Sequence, residues 1–452
     1  MDLIEGLIME RIIATPLGKI RGSGCGIDGV VAYKGIRYAR AGRWEYPKPC
    51  EGYEDIYDAT EYGSCSYQPR AFYNEEENIK KIFYYNEFRK GKEYSYNEDC
   101  LFLNVWAPEN AVERDRLPVI VYIHGGGYTG GCGHEKHFDG PLWPTKGVIA
   151  VTINYRLGPM GFLCLPELHD EAGRCGNYGL YDQLAAIQWV KNNISAFGGD
   201  PDKITVMGQS AGAMSVQQLC QSPIARGLFS GAVMSSGCGM SNMLITTPEK
   251  VYHFWKEVMK RAGCKTLADF RALPPKELFA HWQVAKGEVK GGMMSTTPVK
   301  DGYLITGRSE PADIPYLIGS NSHDMAPPIL HSLARKWGKH RGDGAFVYLF
   351  DRMLPGDKCG AWHSADLWYW FGTLNKCWRP MEEWDYSVSN QMTTYLCNFA
   401  KNGNPNEQNV PTWEPISKNG QVLIIGEKPT KMGKASSLKL LKIMLTNKSV
   451  GE

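Results

Sequence analysis

Short apolar segments alternate with helical patterns through most of this chain, and this alternation constrains the fold more than any other feature. Most of the segments end at glycine, asparagine or serine. Continuous apolar strands separated by helices are typical of a mostly parallel sheet with helices on both faces. The segments are LPVIVYIHGGG (117–127), GVIAVTINYRLG (147–158), KITVMGQSAG (203–212), GAVMSSG (231–237), PYLIGSNSHD (315–324) and AFVYLFDR (345–352).

Two other parts of the chain depart from this pattern. Residues 11–24 and 29–39 alternate like a small antiparallel hairpin at the sheet edge. Residues 240–292 are rich in helical patterns and lack strand-like runs, so we expect a helical insertion over the sheet and its active site. No repeat, low-complexity tract or long linker divides the chain, and we therefore predict a single domain over residues 1–452.

Composition narrows the class of protein. Hydrophobic residues make up 43% and charged residues 22%, with a formal net charge of +2, which argues against nucleic acid as a partner. No run approaches the roughly 18 apolar residues of a membrane span. The start, MDLIEGLIMERII, carries acids where a secretory signal needs bases, and Met9 is an alternative start. We expect a cytoplasmic monomer or small homo-oligomer.

The cysteines and histidines do not form a metal-binding spacing. Thirteen cysteines, spread over the chain without a CxxC pair, favour buried thiols over a disulfide framework. His134 and His137 stand three residues apart in GHEKH, which lacks the HExxH spacing, so this segment is interpreted as a loop. We expect neither a metal nor a cofactor.

The segment Gly208–Gly212 has the G-x-S-x-G pattern around Ser210. A serine on a sharp strand-to-helix turn crowds the residues two positions away on either side, and glycine at both removes the clash. The apolar run ITVM precedes this segment and the amphipathic run AMSVQQLC follows it. The following helix directs its first amides at the serine oxygen. We predict Ser210 as a nucleophile, with a purely structural turn as the alternative.

Three consecutive glycines end another apolar run, within Tyr122–Tyr128. Acyl transfer needs donors where the carbonyl oxygen becomes negative, and glycines let backbone N–H groups approach it closely. The absence of GxxxxGK[ST] disfavours a phosphate-binding loop. We predict Gly126 and Gly127 as oxyanion donors with the amide of Ala211 as the third, and interpret His124 as a residue that orients this loop.

A serine nucleophile needs a base and an acid, which follow it in the order Asp or Glu, then His. His363 lies between the run AFVYLFDR and an aromatic helix, and we predict it as the base. Asp324 ends the run PYLIGSNSHD and is the predicted acid, a role compatible with capping the next helix. Asp301, in a turn-like DG, is its main rival. His323 and His331 are weaker candidates for the base.

A series of motifs extends along nearly the whole chain. They are YKGIRYA, EDCLFLNVWAP, HGGGY, NYRLGPMGF, NYGLYDQLAAIQWVKNNISAFGGDP, ITVMGQSAGA, MSSG, TPVKDGYLI, GAWHSADLWYWFG and NFAKNGNPN. In this order they resemble type-B carboxylesterases, the family of cholinesterases and bacterial para-nitrobenzyl esterases. The resemblance implies an α/β-hydrolase fold and hydrolysis of carboxylic esters. It also implies Ser210 as nucleophile, His363 as base and the same three oxyanion donors.

Two residues depart from the family pattern. Asp324 stands where the family usually has Glu, and Gln209 stands where Glu is common. Neither change removes a catalytic group. The family's disulfide would fall on Cys65 and Cys100, where we expect two thiols, with an oxidised pair as the alternative.

The resulting hypothesis is a serine carboxylesterase that takes a small-molecule ester and forms an acyl-enzyme. Trp362 and Met325 are the candidate pocket residues, and core packing is the alternative for the tryptophan. A feruloyl- or tannase-like aromatic esterase is the second enzyme hypothesis. A non-catalytic cholinesterase-like binding protein is the hypothesis from another class; such proteins lack the serine or the histidine, whereas this chain has both.

Overall fold

The structure is a computed structural model, and it describes residues 10–79, 81–307, 310–426 and 429–446. Two predictions concern the first nine residues: the lack of a secretory signal and the alternative start at Met9. Those predictions lie outside the described residues.

Strands occur along the whole described part of the chain. They are β1 (Glu10–Thr15), β2 (Gly18–Gly24), β3 (Val30–Arg37), β4 (Ala39–Arg40), β5 (Lys48–Pro49), β6 (Ile56–Asp58), β7 (Cys65–Ser66), β8 (Tyr96–Asn97), β9 (Phe102–Pro108), β10 (Leu117–Ile123), β11 (Ile149–Ile153), β12 (Gly199–Gln209), β13 (Gly231–Ser235), β14 (Tyr316–Asn321), β15 (Ala345–Phe350), β16 (Val422–Ile425) and β17 (Lys431–Gly433).

Helices separate most of the longer strands. They are α1 (Ile82–Phe88), α2 (Gly158–Phe162), α3 (Pro166–Ala172), α4 (Tyr178–Asn193), α5 (Ala211–Gln221), α6 (Ser241–Leu244), α7 (Glu249–Arg261), α8 (Leu267–Ala272), α9 (Pro275–Glu288), α10 (Pro327–Arg341), α11 (Leu367–Phe371), α12 (Glu383–Asn402), α13 (Ile416–Asn419) and α14 (Ser437–Thr446).

The main sheet follows the order β1-β2-β3-β9-β11-β10-β12-β13-β14-β15-β16-β17, with β6 beside β2. Every neighbouring pair from β11 through β16 is parallel. The pairs at the two edges are antiparallel, from β1 to β11 on one side and between β16 and β17 on the other. The predicted mostly parallel sheet is therefore confirmed. The carboxyl ends of its parallel strands all lie at the same end of the sheet, where sites of such folds form.

Both faces of the central sheet are buried, which explains why its strands are apolar throughout. Along β10, Val119 and Val121 pack into the core on one face, while Ile120 and Tyr122 pack into the core on the other. Because side chains alternate across a strand, covering both faces removes the polar alternation seen in half-exposed strands.

The predicted N-terminal hairpin has one strand more than expected. Residues 11–24 themselves fold back, since β1 pairs with β2 in antiparallel register from Glu10↔Ser23 to Thr15↔Gly18. Gly18 at this turn has a φ of +129°, a conformation that favours glycine. β3 then pairs with the end of β2, so the edge is a three-stranded antiparallel unit.

The predicted insertion is helical. Residues 240–292 contain α6 to α9, and Phe254, Trp255 and Trp282 form a third core with Met160 of α2. The insertion packs against α2, and the residues that line the cavity at Ser210 belong to other segments. No described helix combines the length and apolar character needed to cross a bilayer.

Candidate active site

Ser210 occupies the turn between β12 and α5. Its φ of 55° and ψ of −124° lie outside the regions that non-glycine residues ordinarily adopt. Such strain persists only where the surrounding structure holds it, and it is concentrated at functional sites. The serine N–H donates to the carbonyl of Ser235 at the end of the neighbouring strand β13, at 2.9 Å, which anchors the turn to the sheet.

The two flanking glycines allow this turn to form. A Cβ on Gly208 would lie 2.4 Å from the Gly212 backbone, and a Cβ on Gly212 would lie 2.1 Å from the carbonyl oxygen of Ile123. The start of α5 therefore lies closer to β12 and to the end of β10 than a side chain at either glycine would permit. This geometry gives the physical reason for the G-x-S-x-G spacing.

The glycine loop after β10 lies beside Ser210. Gly126 and Gly127 have φ values of +105° and +61°, and a Cβ on Gly126 would lie 2.1 Å from the carbonyl oxygen of Gly130. Among the described residues, none accepts a hydrogen bond from the N–H of Gly126 or Gly127. Ala211 is the first residue of α5, so its N–H also lacks a helical acceptor. The predicted oxyanion donors therefore have no acceptor among the described residues.

His124 supports this loop. Its Nδ1 lies 2.8 Å from the carbonyl oxygen of Gly125, and its ring stacks on Tyr155 with the centroids 4.4 Å apart. The Tyr155 hydroxyl donates to the His124 carbonyl at 2.8 Å. Burial lowers the pKa of His124 below its ordinary value, which favours the neutral ring. These contacts are those of a residue that orients the loop.

Asp324 and His363 come together although they are far apart in sequence. His363 Nδ1 lies 2.5 Å from Asp324 Oδ1. The carboxylate also accepts the backbone N–H groups of Asn321 at 3.1 Å and Met325 at 2.9 Å. Burial raises the pKa of Asp324, but the charge of His363 and the hydrogen bonds outweigh it and hold this pKa below its ordinary value.

The ionised carboxylate fixes the tautomer of His363. Because a carboxylate only accepts hydrogen bonds, Nδ1 carries the proton and the neutral ring has its lone pair on Nε2. The side-chain amide of Gln209, the residue before the serine, donates to Nε2 at 3.2 Å. Burial lowers the pKa of His363, but the negative charge of Asp324 and its hydrogen bond overcome burial and raise it above the ordinary value.

The other candidates for the acid and the base have hydrogen bonds or burial that suit structural roles. Asp301 accepts hydrogen bonds from Asn177 at 3.0 Å and Tyr181 at 2.9 Å and from two backbone amides, as a structural turn does. His331 is buried in α10, where burial lowers its pKa to about 4. His323 is paired with the hydroxyl of Ser322 at 2.9 Å.

A cavity of about 420 Å³ opens above Ser210. Ser210, His363 and Gly125–Gly127 line its floor, and Tyr84, Phe88 and Phe138 contribute aromatic surface. Two buried ion pairs complete the wall, Arg70 with Glu135 at 2.5 Å and Arg89 with Glu75 at 2.7 Å. Both arginines are paired, and Lys81 is a further cationic residue among those that line the cavity.

Of the two candidate pocket residues, only one lines the cavity. Met325 lines the cavity and is 77% exposed. Trp362 is fully buried, and its ring packs against Phe83 and Phe88 at centroid distances of 5.1 and 5.6 Å. Since Phe88 lines the cavity, Trp362 stands behind the wall, which corrects its assignment as a pocket residue and favours the core-packing alternative.

Known proteins resemble this chain in sequence and in structure. The pattern of the carboxylesterase family matches residues 9–336 and 328–443. This chain belongs to the carboxylesterase family. Para-nitrobenzyl esterase of Bacillus subtilis (strain 168) is 44% identical over 233 residues, which cover 50% of this chain and 44% of that protein. In this alignment the chain spans less than half of the relative's length.

Two further carboxylesterase relatives match over most of the chain. Bile salt-activated lipase of Rattus norvegicus is 32% identical, and the alignment covers 90% of this chain and 79% of the lipase. A solved structure of a thermophilic PNB esterase superposes with a TM-score of 0.80 at 28% identity, covering 96% of this chain and 100% of that one. The α/β-hydrolase fold expected from the sequence is confirmed.

Sequence reasoning about this member of the carboxylesterase family missed Asp366. This fully buried carboxyl group accepts the hydroxyls of Ser235 at 2.7 Å and Tyr348 at 2.9 Å and the indole N–H of Trp370 at 3.1 Å. Burial raises its pKa above the ordinary value. The contacts tie the loop carrying His363 to the end of β13 and to the interior of β15. An acidic residue three positions after the predicted base was the available signal.

Proposed function

We propose that this protein hydrolyses carboxylic esters through an acyl-enzyme, with Ser210 as nucleophile, His363 as base and Asp324 as the orienting acid. The observation that carries the proposal is the 2.5 Å contact between His363 Nδ1 and Asp324, formed beside a serine in a strained turn. A binding protein has no need for a buried, ionised carboxylate that fixes an imidazole tautomer at a cavity floor.

The first step forms the acyl-enzyme. His363 Nε2 takes the proton of the Ser210 hydroxyl while Oγ attacks the ester carbonyl, and a tetrahedral oxyanion forms. We infer that the serine hydroxyl replaces the Gln209 amide as the donor to Nε2 when substrate is bound. The N–H groups of Gly126, Gly127 and Ala211 donate to the oxyanion, and Asp324 stabilises the imidazolium.

Collapse of this tetrahedral intermediate completes the acyl-enzyme, and water then hydrolyses it. His363 gives its Nε2 proton to the departing alkoxide, which leaves as the alcohol as the serine ester forms. Water then donates a proton to the same Nε2 and its oxygen attacks the acyl carbon. Collapse of this intermediate returns the proton to Ser210 Oγ and releases the carboxylic acid.

The cavity supports an uncharged or weakly charged small ester as substrate. Its aromatic wall suits apolar groups, and the positive charges of Arg70 and Arg89 are paired, which leaves Lys81 as the further cation of the lining. The aromatic-ester hypothesis rested on Trp362, Trp368 and Trp370 near His363, and all three are buried outside the lining of the cavity. A small alkanoyl ester is therefore the first substrate class to test.

The test is a kinetic panel of para-nitrophenyl acetate, butyrate and octanoate together with methyl ferulate. We expect hydrolysis of the butyrate ester far above the uncatalysed rate and at a higher kcat/KM than the ferulate. Turnover of no ester above background would contradict the proposal. Turnover of the ferulate alone would support the aromatic-ester alternative instead.

The contact between Gln209 and His363 makes a prediction about pH. Activity requires neutral His363, whose pKa is raised above 6.5, so kcat/KM falls as the pH drops through a midpoint above 6.5. Gln209→Glu puts a negative charge near Nε2 and favours the imidazolium, so the midpoint rises by about one pH unit or more. The measurement is kcat/KM against pH for both proteins, with Gln209→Met as the uncharged control. A midpoint shared by all three would refute His363 as the titrating base.

A further inference from the structure

A cluster of soft ligands lies apart from the residues of the proposed reaction, and two of its members adjoin the cavity-lining Gly131 and Glu135 in sequence. Cys65 belongs to β7, while Cys132 and His134 belong to the loop that continues from the oxyanion glycines. The two sulfur atoms and one ring nitrogen all lie within 4.8 Å of one another, and all three residues are buried. We propose that Cys65, Cys132 and His134 form a zinc-binding site.

The spacing of the ligand atoms fits zinc. Cys65 Sγ lies 3.6 Å from His134 Nε2. With Zn–S of about 2.3 Å and Zn–N of about 2.05 Å at a tetrahedral angle, the sulfur and nitrogen of one site are separated by roughly 3.6 Å. The same distance also fits a hydrogen bond between the ring nitrogen and the sulfur, so the metal content of the protein decides between the two. Two cysteines and one histidine with water in the fourth position form a known zinc ligand set.

The charges of the neighbourhood suit a buried dication. Two thiolates and Zn²⁺ are neutral together, so the site can be buried without an uncompensated charge. The nearby cation, Arg70, lies 3.9 Å from Cys132 Sγ but is paired with Glu135 at 2.5 Å. The arginine and the glutamate balance each other, and neither oxygen of Glu135 is needed as a zinc ligand.

The ring of His134 is held for ligation through Nε2. Tyr62 stacks on it with centroids 4.5 Å apart and planes 7° apart. Its Nδ1 is buried and has no hydrogen-bond partner among the described residues, so stacking rather than a hydrogen bond fixes the ring. His137, the other histidine of this segment, instead stacks on Phe88 at 3.8 Å, so the two do not form one site.

The site would brace the oxyanion loop. Gln68, two residues after β7, accepts the N–H of Gly131 at 2.9 Å and donates to its carbonyl at 3.1 Å. Zinc bound by Cys65 on one side and by Cys132 and His134 on the other would tie the same two segments together. Its proposed role is to hold these two segments together, since none of its three ligands is among the residues that line the cavity.

The test measures zinc directly. Full-length protein is loaded with ZnSO₄, dialysed and analysed for metal, and is also loaded with Co²⁺ to record the thiolate charge-transfer absorption. We expect one zinc per chain, a near-ultraviolet cobalt band and a higher Tm with zinc. Cys132→Ser and His134→Gln should lose most of the zinc. Cys175→Ser is the matched control, because this buried cysteine lies beside Cys164 in the same kind of thiol pair but outside the cluster.

Three results would overturn the zinc site. The first is wild-type protein that retains no zinc after dialysis and shows no rise in Tm. The second is zinc content that is the same in Cys132→Ser, His134→Gln and wild type. The third is a Cys65–Cys132 disulfide in the freshly purified, zinc-free protein, seen as a linked peptide pair, which would assign the cluster to thiol oxidation. Each readout is independent of ester hydrolysis, so failure of one proposal leaves the other intact.

Discussion

Ser210→Ala is expected to lower kcat/KM for para-nitrophenyl butyrate by about 10⁵-fold or more, because it removes the atom that forms the acyl-enzyme. The loss corresponds to roughly 7 kcal/mol of transition-state stabilisation. The oxyanion amides and the cavity remain, so a small residual rate above background is expected as well. The measurement is kcat/KM for the purified variant, with circular dichroism to compare its fold with that of wild type.

Ser364→Ala is the matched control for this experiment. Ser364 also lines the cavity and also has a positive φ, 79° against 55° for Ser210. Its hydroxyl has no role in the proposed reaction, so the variant should keep most of its activity. If Ser210→Ala retained near-normal turnover, or if both variants lost activity equally, Ser210 would not be the nucleophile.

Asp324→Asn is expected to lower kcat/KM by about 10⁴-fold while leaving the cavity in place. The amide cannot hold the Nδ1–H tautomer as the carboxylate does, and it removes the charge that raises the pKa of His363. The remaining activity should therefore persist to lower pH than in wild type. The measurement is a pH profile of kcat/KM on an activated ester, for which the residual rate is measurable.

Asp301→Asn separates a catalytic effect from a structural one. Asp301 is also hydrogen-bonded to side chains and backbone amides, but its partners are Asn177, Tyr181 and the amides of Tyr303 and Ile305. This variant should lower Tm and keep most of its kcat/KM in the folded fraction. Loss of activity in Asp301→Asn together with retention in Asp324→Asn would reverse the assignment of the acid.

The parts of the site that depend on close backbone approach were predictable from the sequence. Gly208 and Gly212 are needed because a Cβ at either position would overlap backbone atoms. The turn at Ser210 therefore requires a fixed sequence pattern. The parallel sheet was predictable for a similar reason, since burial on both faces forces continuous apolar strands. The order of acid and base after Ser210 then left few candidates.

The contacts made by side chains across the fold were not predictable in this way. Trp362 adjoins His363 in sequence, but only the packing of α1 shows that its ring faces the core. Asp366 is one of several acids near the base, and its role depends on β13 and β15. The cluster of Cys65, Cys132 and His134 joins segments about seventy residues apart, so no local spacing marks it.

The most direct test of the central claim is to trap the nucleophile with a fluorophosphonate probe, whose phosphorus is attacked by an activated serine with loss of fluoride. The account predicts one phosphonyl group per chain, located by peptide mapping on Ser210, with activity lost in step with labelling. Ser210→Ala should take up no label, and Ser364→Ala should be labelled like wild type. Stoichiometric labelling of another residue that abolishes activity, or full turnover in protein whose Ser210 is completely labelled, would contradict the account.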